Sequence, residues 1–515
     1  MKKIQYAVIF FYIALSSCKK TIDLYPESNL NTATYYSNID EVKAGLTACY
    51  NGLQRPMYRE WQFTELRSDN SYQGSTGSTN SFNRDLSDLD EFIPATTNDA
   101  VYQYWLDSYF NIRNCNILLQ KLGVSYNPSS GAISLASISI PISDSIRKQF
   151  AGEALFIRAH HYFNLVRLYG GVFLVHTPIS PAESKTMNRS SVADIYKLIV
   201  ADLTTASSYM NNLKFSQIAA EDKGRATSWA AKALLGKVYL TLNNKPNAIT
   251  QLQDVVTNSG YSLQSTYATV FSISNEVNSE ILFTVRYKAG GLGLGSSFGN
   301  DFGPLNSGSV VINGSGRGWN TPSSSIDSFY LAADSRKAVN ISKYLPGTPQ
   351  EAIYVKKYLT PVVLTDDGES DWPIIRYADV LLMLAEAQGN TSSSVGYINQ
   401  VRVRAGLGTI ASPQPTVAAF EQELVDERRR EFAFENHRWF DLVRYATTLT
   451  TINPIQIMQA HFAYEYARHY STYPAPTPTL AFLQASITQA KLLLPIPQHE
   501  IDTNTQLVIP QNPGY

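Results

Sequence analysis

A mainly α-helical fold is the class this 515-residue sequence predicts: a tetratricopeptide-like repeat scaffold carrying a second, irregular, loop-rich region. Three observations predict it. Phe150, Ala154, Ile157, Tyr162, Leu165 and Leu168 recur at helical spacing on one face, and the pattern stops at Gly170-Gly171. Leu235, Gly236 and Tyr239, followed by Ala248, have the small and large residues of a tetratricopeptide helix pair. Residues 289–320, by contrast, are rich in Gly, Ser and Asn and lack either period.

The N-terminus comes first in chain order. Lys2-Lys3 and the apolar run from Ile4 to Leu15 read as a secretory signal, too short to span a bilayer. Leu15-Ser16-Ser17-Cys18 has the form of a bacterial lipobox, so residues 1–17 are expected to be removed and Cys18 lipidated. Residues 18–37 form a tether, and the body spans 38–515. The repeat helices are expected mainly within 148–258 and 374–446, including segments from about Ser191 to Asn211, Thr227 to Leu242, and beyond Pro246. A degenerate unit follows at Tyr377–Gln388 and Val395–Arg404. Residues 416–446 read as one long helix, and 447–515 as Pro- and Tyr-rich with little regular pattern. A strand is expected at 280–288, with extended runs at 310–312 and 353–359. The segments 60–100 and 280–372 are the expected ligand region, because loops on a rigid scaffold usually hold recognition residues.

Composition narrows the function. With 42 Lys+Arg against 43 Asp+Glu, the chain lacks the basic excess that neutralises nucleic-acid phosphates. At 44% hydrophobic and 17% charged it is not disordered, and its 12% aromatic content suits sugar stacking as well as a core. No enzyme motif emerges. The glycine runs at 290–295 and 314–318 complete neither phosphate-loop pattern and read as mobile loops. Asp366 to Asp371 lacks EF-hand spacing. Asp85, Asp88, Asp90 and Glu91 supply no more of a glycosidase pair than any acidic loop does. His160-His161 reads as structural, no HExxH or CxxC marks a metal site, and no cofactor is expected. Cys49 and Cys115 fit either one disulfide or two buried thiols. Asp426-Glu427-Arg428-Arg429-Arg430-Glu431 reads either as a solvated face or as a partly buried ion-pair network.

Several stretches in order resemble one family. They are Leu15–Cys18 with Asp23 and Pro26, Ser68-Asp69-Asn70, Ile112-Arg113-Asn114-Cys115-Asn116, and GEALFIRAHHYFNLVRLYGGV at 152–172. GRATSWAAKALLGKVYL at 224–240, WPIIRYADVLLMLAEA at 372–387, INQVRVRAGL at 398–407 and ERRREFAFENHRWFDLVR at 427–444 continue the series. LLPIPQHEID at 493–502 and QNPGY at 511–515 close it. The chain resembles the SusD/RagB family of outer-membrane nutrient-binding lipoproteins. The resemblance implies four tetratricopeptide-like units, no catalysis, a lipid anchor in the outer membrane facing the cell surface, and partnership with a SusC-like TonB-dependent transporter. The repeat face would be the docking surface for that transporter. The expected ligand is an oligosaccharide, with peptide uptake as the alternative and glycan hydrolysis as a third reading. Lys19-Lys20 after Cys18 departs from an acidic surface-export signal.

The family motifs are structural, so ligand residues are assigned on physical grounds. Trp319 lies in the Gly314–Asn320 loop, has no helical face to fill, and is the leading sugar platform. Tyr72 with Asp69, Asn70 and Gln73 forms the second group, and Arg317 is placed to bond hydroxyls or a uronate. Trp61 and Trp372 are weaker candidates, while Trp105, Trp229 and Trp439 fall in helical patterns and are assigned to the core.

Overall fold

The computed structural model describes residues 35–75, 81–345, 352–474, 476–504 and 506–515. The expected signal, the expected lipidation site at Cys18 and most of the expected tether lie outside the described residues. The chain is mainly α-helical, with short antiparallel strand pairs.

Among the described residues four helix pairs pack one on the next. The first joins α1 (Ile39–Asn51) to a helix further along the chain. After α2 (Gln54–Thr64) and α3 (Ser81–Asp90), that partner is α4 (Asp99–Lys121). The second pair is α5 (Asp144–Tyr169) with α6 (Val192–Tyr209), and the third is α7 (Ser228–Thr241) with α8 (Lys245–Asn258). The fourth, α9 (Tyr377–Gln388) with α10 (Ser392–Arg404), packs directly on α8 although the chain makes a long excursion between them. Seven of these eight helices start with a side-chain cap for the unpaired backbone N–H groups: Asn38, Asn98, Ser143, Ser191, Thr227, Asn244 and Thr391 accept from the first turn, whereas α9 follows directly from the strand ending at Arg376 without one.

The centre of the stack is α5. Its sequence shows one apolar face, yet every residue from Phe150 to Val166 is buried, because α4 and α6 flank it and a polar network serves the other side. Arg158 makes two bonds to Asp202 on α6, at 2.8 and 2.7 Å. His160 and His161 are buried, and burial depresses both imidazoles, that of His161 to about 3, so both are neutral core groups. At the α7–α8 crossing Gly236 permits close approach: a Cβ there would lie 2.6 Å from Leu252 Cγ.

The excursion between α8 and α9 is fastened by a strand pair, Ile281–Val285 against Trp372–Arg376, shorter than the strand expected over 280–288. Residues 310–312 do not extend; a short 3₁₀ turn covers Gly308–Val310, and Ala352–Val355 is the only strand within 353–359. Within the segment 60–100, the end of α2, α3 and the start of α4 are helical, while residues 65–75 and 91–98 are irregular apart from the two-residue strand Ser71–Tyr72.

Residues 416–446 form two helices, α11 (Val417–Glu431) and α12 (Arg438–Thr448), split by a turn with positive φ at Phe434 and Asn436. The Pro- and Tyr-rich end is also more ordered than its pattern suggests, with α13 over Pro454–Glu465 and α14 over Leu480–Ser486. Of the charges in 426–431, Asp426 is half-buried and Glu427 to Glu431 are buried. Arg336 reaches Glu427 at 2.6 Å, Arg376 at the end of its strand bonds Glu280, Glu431 and Glu435, and Arg428 pairs with Asp379 and Asp441. This network pins α11 to both the excursion and the repeat stack. Cys49 and Cys115 are free, buried thiols.

Candidate ligand-binding surface

The two aromatic groups singled out in sequence meet in space. Ser71–Tyr72 pairs antiparallel with Thr321–Pro322, with Tyr72 opposite Thr321 and Ser71 opposite Pro322. The Gly74 N–H donates to Gly318 O at 3.0 Å, extending the contact towards Trp319. Side chains alternate across a strand, and burial alternates here: Tyr72, Gly74, Trp319 and Thr321 are half-buried, whereas Ser71, Gln73, Asn320 and Pro322 are buried. Tyr72 and Trp319 therefore share the outward face of one small ladder.

Trp319 does not sit in a mobile loop. The backbone N–H groups of Arg317, Gly318 and Trp319 donate to the carbonyls of Asn300, Gly303 and Asp301, at 2.8, 2.8 and 2.9 Å. The Arg317 guanidinium braces the same segment, with Nη1 at 2.7 Å from Asp301 and 2.6 Å from Asp366, and Nη2 at 2.7 Å from Asp366. Fixed in this way, the indole packs against Phe82 at a centroid distance of 4.6 Å, with the Arg317 guanidinium 5.0 Å from its ring. Because two carboxylates neutralise Arg317, it offers no free positive charge. The uronate role expected for it does not fit; a remaining N–H can still meet a hydroxyl.

Tyr72 stacks on His469 with centroids 3.7 Å apart and planes at 25°, and His469 in turn bonds the Tyr473 hydroxyl at 2.8 Å. Burial holds the His469 imidazole down to about 3, so the stack is uncharged. Burial, with Glu465 and Asp90 adding repulsion, raises the Tyr72 phenol, which therefore stays protonated and able to donate.

The three polar residues grouped with Tyr72 point inward instead. The Asp69 carboxylate accepts from Arg438 at 2.7 and 2.9 Å and lies 3.2 Å from Arg429; these cations outweigh burial and hold it well below the usual carboxylate range. Asn70 accepts from Arg429 Nε at 3.0 Å, and the Gln73 side chain accepts from Ser75 N at 2.8 Å. All three are buried and engaged in holding the ladder, so Asp69, Asn70 and Gln73 are corrected from ligand contacts to framework. Trp61 and Trp372 are fully buried as well.

Phe82 and His469 went unrecognised in the sequence, although both complete the aromatic surface. Phe82 stands alone among polar residues, and His469 lies in the aromatic-rich run 461–473. An isolated aromatic in a polar stretch was the one available signal for Phe82. The surface that results is aromatic and held on a hydrogen-bonded frame, with Phe82 tilted by 54° to Trp319 and the ion-paired Arg317 guanidinium against the indole, which suits stacking and hydrogen bonding. Among the described residues no group of His, Cys, Asp and Glu is arranged to hold a metal.

Comparison with known proteins bears on this arrangement. A family model described as "SusD family" matches residues 345–515, and one described as "Starch-binding associating with outer membrane" matches 21–240. A SusD-like protein of Formosa agariphila is 25% identical over 508 residues, covering 88% of this chain and 92% of its own length. A SusD-like protein of Bacteroides ovatus is also 25% identical, covering 82% and 79%. Among solved structures, a laminarin-binding SusD-like protein superposes with a TM-score of 0.73 at 25% identity, covering 93% of this chain and all of the other. Surface glycan-binding protein A of Bacteroides thetaiotaomicron, in complex with laminarihexaose, shares the fold with a TM-score of 0.71 at 19% identity, covering 92% and 99%. Two family models in the expected order, relatives aligned over most of their length and a shared helical-repeat architecture agree: the chain belongs to the SusD/RagB family.

Proposed function

We propose that this protein is a non-catalytic glycan-binding lipoprotein of the outer membrane that captures neutral oligosaccharide and passes it to a SusC-like TonB-dependent transporter. The observation that carries the reading is the braced aromatic surface formed by Trp319, Phe82 and Tyr72, with Arg317 held beside it by Asp301 and Asp366. A sugar ring lays its C–H face on the indole, while its hydroxyls meet the Tyr72 phenol and the remaining Arg317 N–H. With Asp301 and Asp366 beside Arg317, the local field disfavours a uronate. The glycan ligands of structurally similar proteins support the same substrate class.

The membrane part rests on the lipobox at Cys18 and on the family model that names outer-membrane association. No helix among the described residues is long and apolar enough to cross a membrane. Acyl chains on Cys18 would hold the protein at the bilayer.

Calorimetric titration against laminarin, soluble starch, xylan, mannan, polygalacturonate and a peptide digest tests the proposal. We expect a neutral glycan to bind with an affinity on the order of micromolar to millimolar. Trp319→Ala should weaken that binding by roughly ten-fold or more, the loss of one stacked ring. Heat from the peptide digest alone would move the assignment to peptide uptake. Sustained release of reducing sugar would contradict a pure binder.

A further inference from the structure

A groove of about 420 Å³ lies on the helical stack, sharing no residue with the Trp319 surface. It runs between the start of α1, the start of α5, the end of α6 and the connection from Asn211 to Thr227. Its floor is apolar, with Phe150, Met210 and Ile218 buried. Its rim is polar, and that rim has unspent bonding capacity. The Tyr209 ring is half-buried, and its hydroxyl makes no bond among the described residues. The Lys43 ammonium is exposed and has no ion-pair partner among them. Asp222 and Arg225 form a half-exposed pair at 3.2 Å.

The walls are built to stay in place. Arg225 makes two bonds to Glu153, at 3.0 and 2.7 Å, and that carboxylate is buried on α5. Gln149 Oε1 accepts the Asn211 N–H at 2.9 Å, fixing the connection against the start of α5. An apolar floor, a tyrosine with an uncommitted phenol, and a rim holding an ammonium, a carboxylate, a guanidinium and an amide are the parts that a saccharide needs. A charged ligand would find Lys43 opposed by Asp222, whereas sugar hydroxyls, which donate and accept, can use both.

We propose that this groove is a second saccharide site that binds a short neutral oligosaccharide segment, stacking it on Tyr209 and bonding its hydroxyls through Lys43 and Asp222. The inference rests on the glycan-binding reading of the previous subsection and extends it from one site to two. A polysaccharide long enough to reach both sites would then bind more tightly than its short oligomer, because the second contact is intramolecular.

The test uses the full mature chain and whichever panel glycan binds it, as polysaccharide and as hexasaccharide (laminarin and laminarihexaose if laminarin binds). We expect Trp319→Ala to retain weak hexasaccharide binding, which is lost when Tyr209→Ala and Asp222→Ala are added. Tyr209→Ala alone should lower polysaccharide affinity by about ten-fold and leave the tighter hexasaccharide site unchanged. Lys43→Ala, at an exposed position, gives a second reading that does not depend on the folding of the tyrosine variant, and should weaken the residual site. A wild-type protein that titrates with one site per chain, and loses all binding with Trp319→Ala, would overturn the second site and leave the proposed function standing. No binding by the wild type to any glycan would remove both.

Discussion

Asp69 accepts from Arg438 and faces Arg429 in the interior, while Tyr72, three residues on, turns its ring outward onto His469. Removing the charge at Asp69 leaves two buried guanidinium groups facing a neutral amide, which costs far more than the net worth of the pair. Asp69→Asn should therefore destabilise the protein by about 3–5 kcal/mol, read as a fall in urea midpoint at constant slope. Tyr72→Phe keeps the stack and removes only a hydroxyl with no bonded partner among the described residues. Its stability should change by less than about 1 kcal/mol, while glycan affinity falls. A strong loss of stability in Tyr72→Phe, or none in Asp69→Asn, would reverse these assignments. Trp319 stood out in the sequence as an aromatic without a helical face to fill, and Tyr72 only as one of a group with Asp69, Asn70 and Gln73. The inward turn of Asp69 was not, because its partner Arg438 is 369 residues away and a polar Ser-Asp-Asn run looks the same in a loop as in a framework.

At the scale of elements, local pattern succeeded where the period itself builds the structure. Leu235, Gly236, Tyr239 and Ala248 marked the α7–α8 pair, and the crossing at Gly236 is what the small residue is for. Gly236→Ala improves helix propensity by about 1 kcal/mol, but its methyl meets Leu252 at 2.6 Å. Overpacking of this kind typically costs about 1–3 kcal/mol, so the net effect should be destabilising, measured by chemical denaturation. An unchanged or raised midpoint would mean that α8 shifts freely, against the tight pairing described. Pattern failed at the turn between α11 and α12, since FAFENH carries no glycine or proline to announce a break. The turn is fixed by distant partners: Glu435 bonds Arg376 and Lys357, and the Asn436 N–H donates to Glu65 at 2.7 Å. The same dependence explains why 426–431 left two readings open in sequence, for burial of a charge is decided by what packs against it.

For the whole molecule, near-neutral net charge conceals an interior rich in titratable groups whose contributions to stability run in opposite directions. Burial depresses the imidazoles of His161, His461 and His469 to about 3, 4 and 3. Each is protonated more readily in the unfolded chain, near 6.5, so its contribution is fully present above that pH and is lost as pH falls through it. Burial raises the Glu65 carboxyl instead, to about 8, despite an accepted bond from Asn436. Its folded form holds a proton that the unfolded chain gives up near 4.5, so its contribution is present below 4.5 and is lost as pH rises towards 8. The overall pH profile is a sum of such terms, and single variants separate them. His161→Gln retains an acceptor for the Asn111 amide, which lies 2.8 Å from the imidazole. Relative to wild type this variant should gain stability as pH falls from 7 to 5, approaching about 1.4 kcal/mol per pH unit below the unfolded histidine pKa. Glu65→Gln should move the other way, gaining on wild type as pH rises from 5 to 8. Denaturation midpoints of the three proteins across that range read both slopes. Parallel profiles for His161→Gln and wild type would mean that the imidazole reaches water in the native state, contrary to its place in the centre of the helical stack.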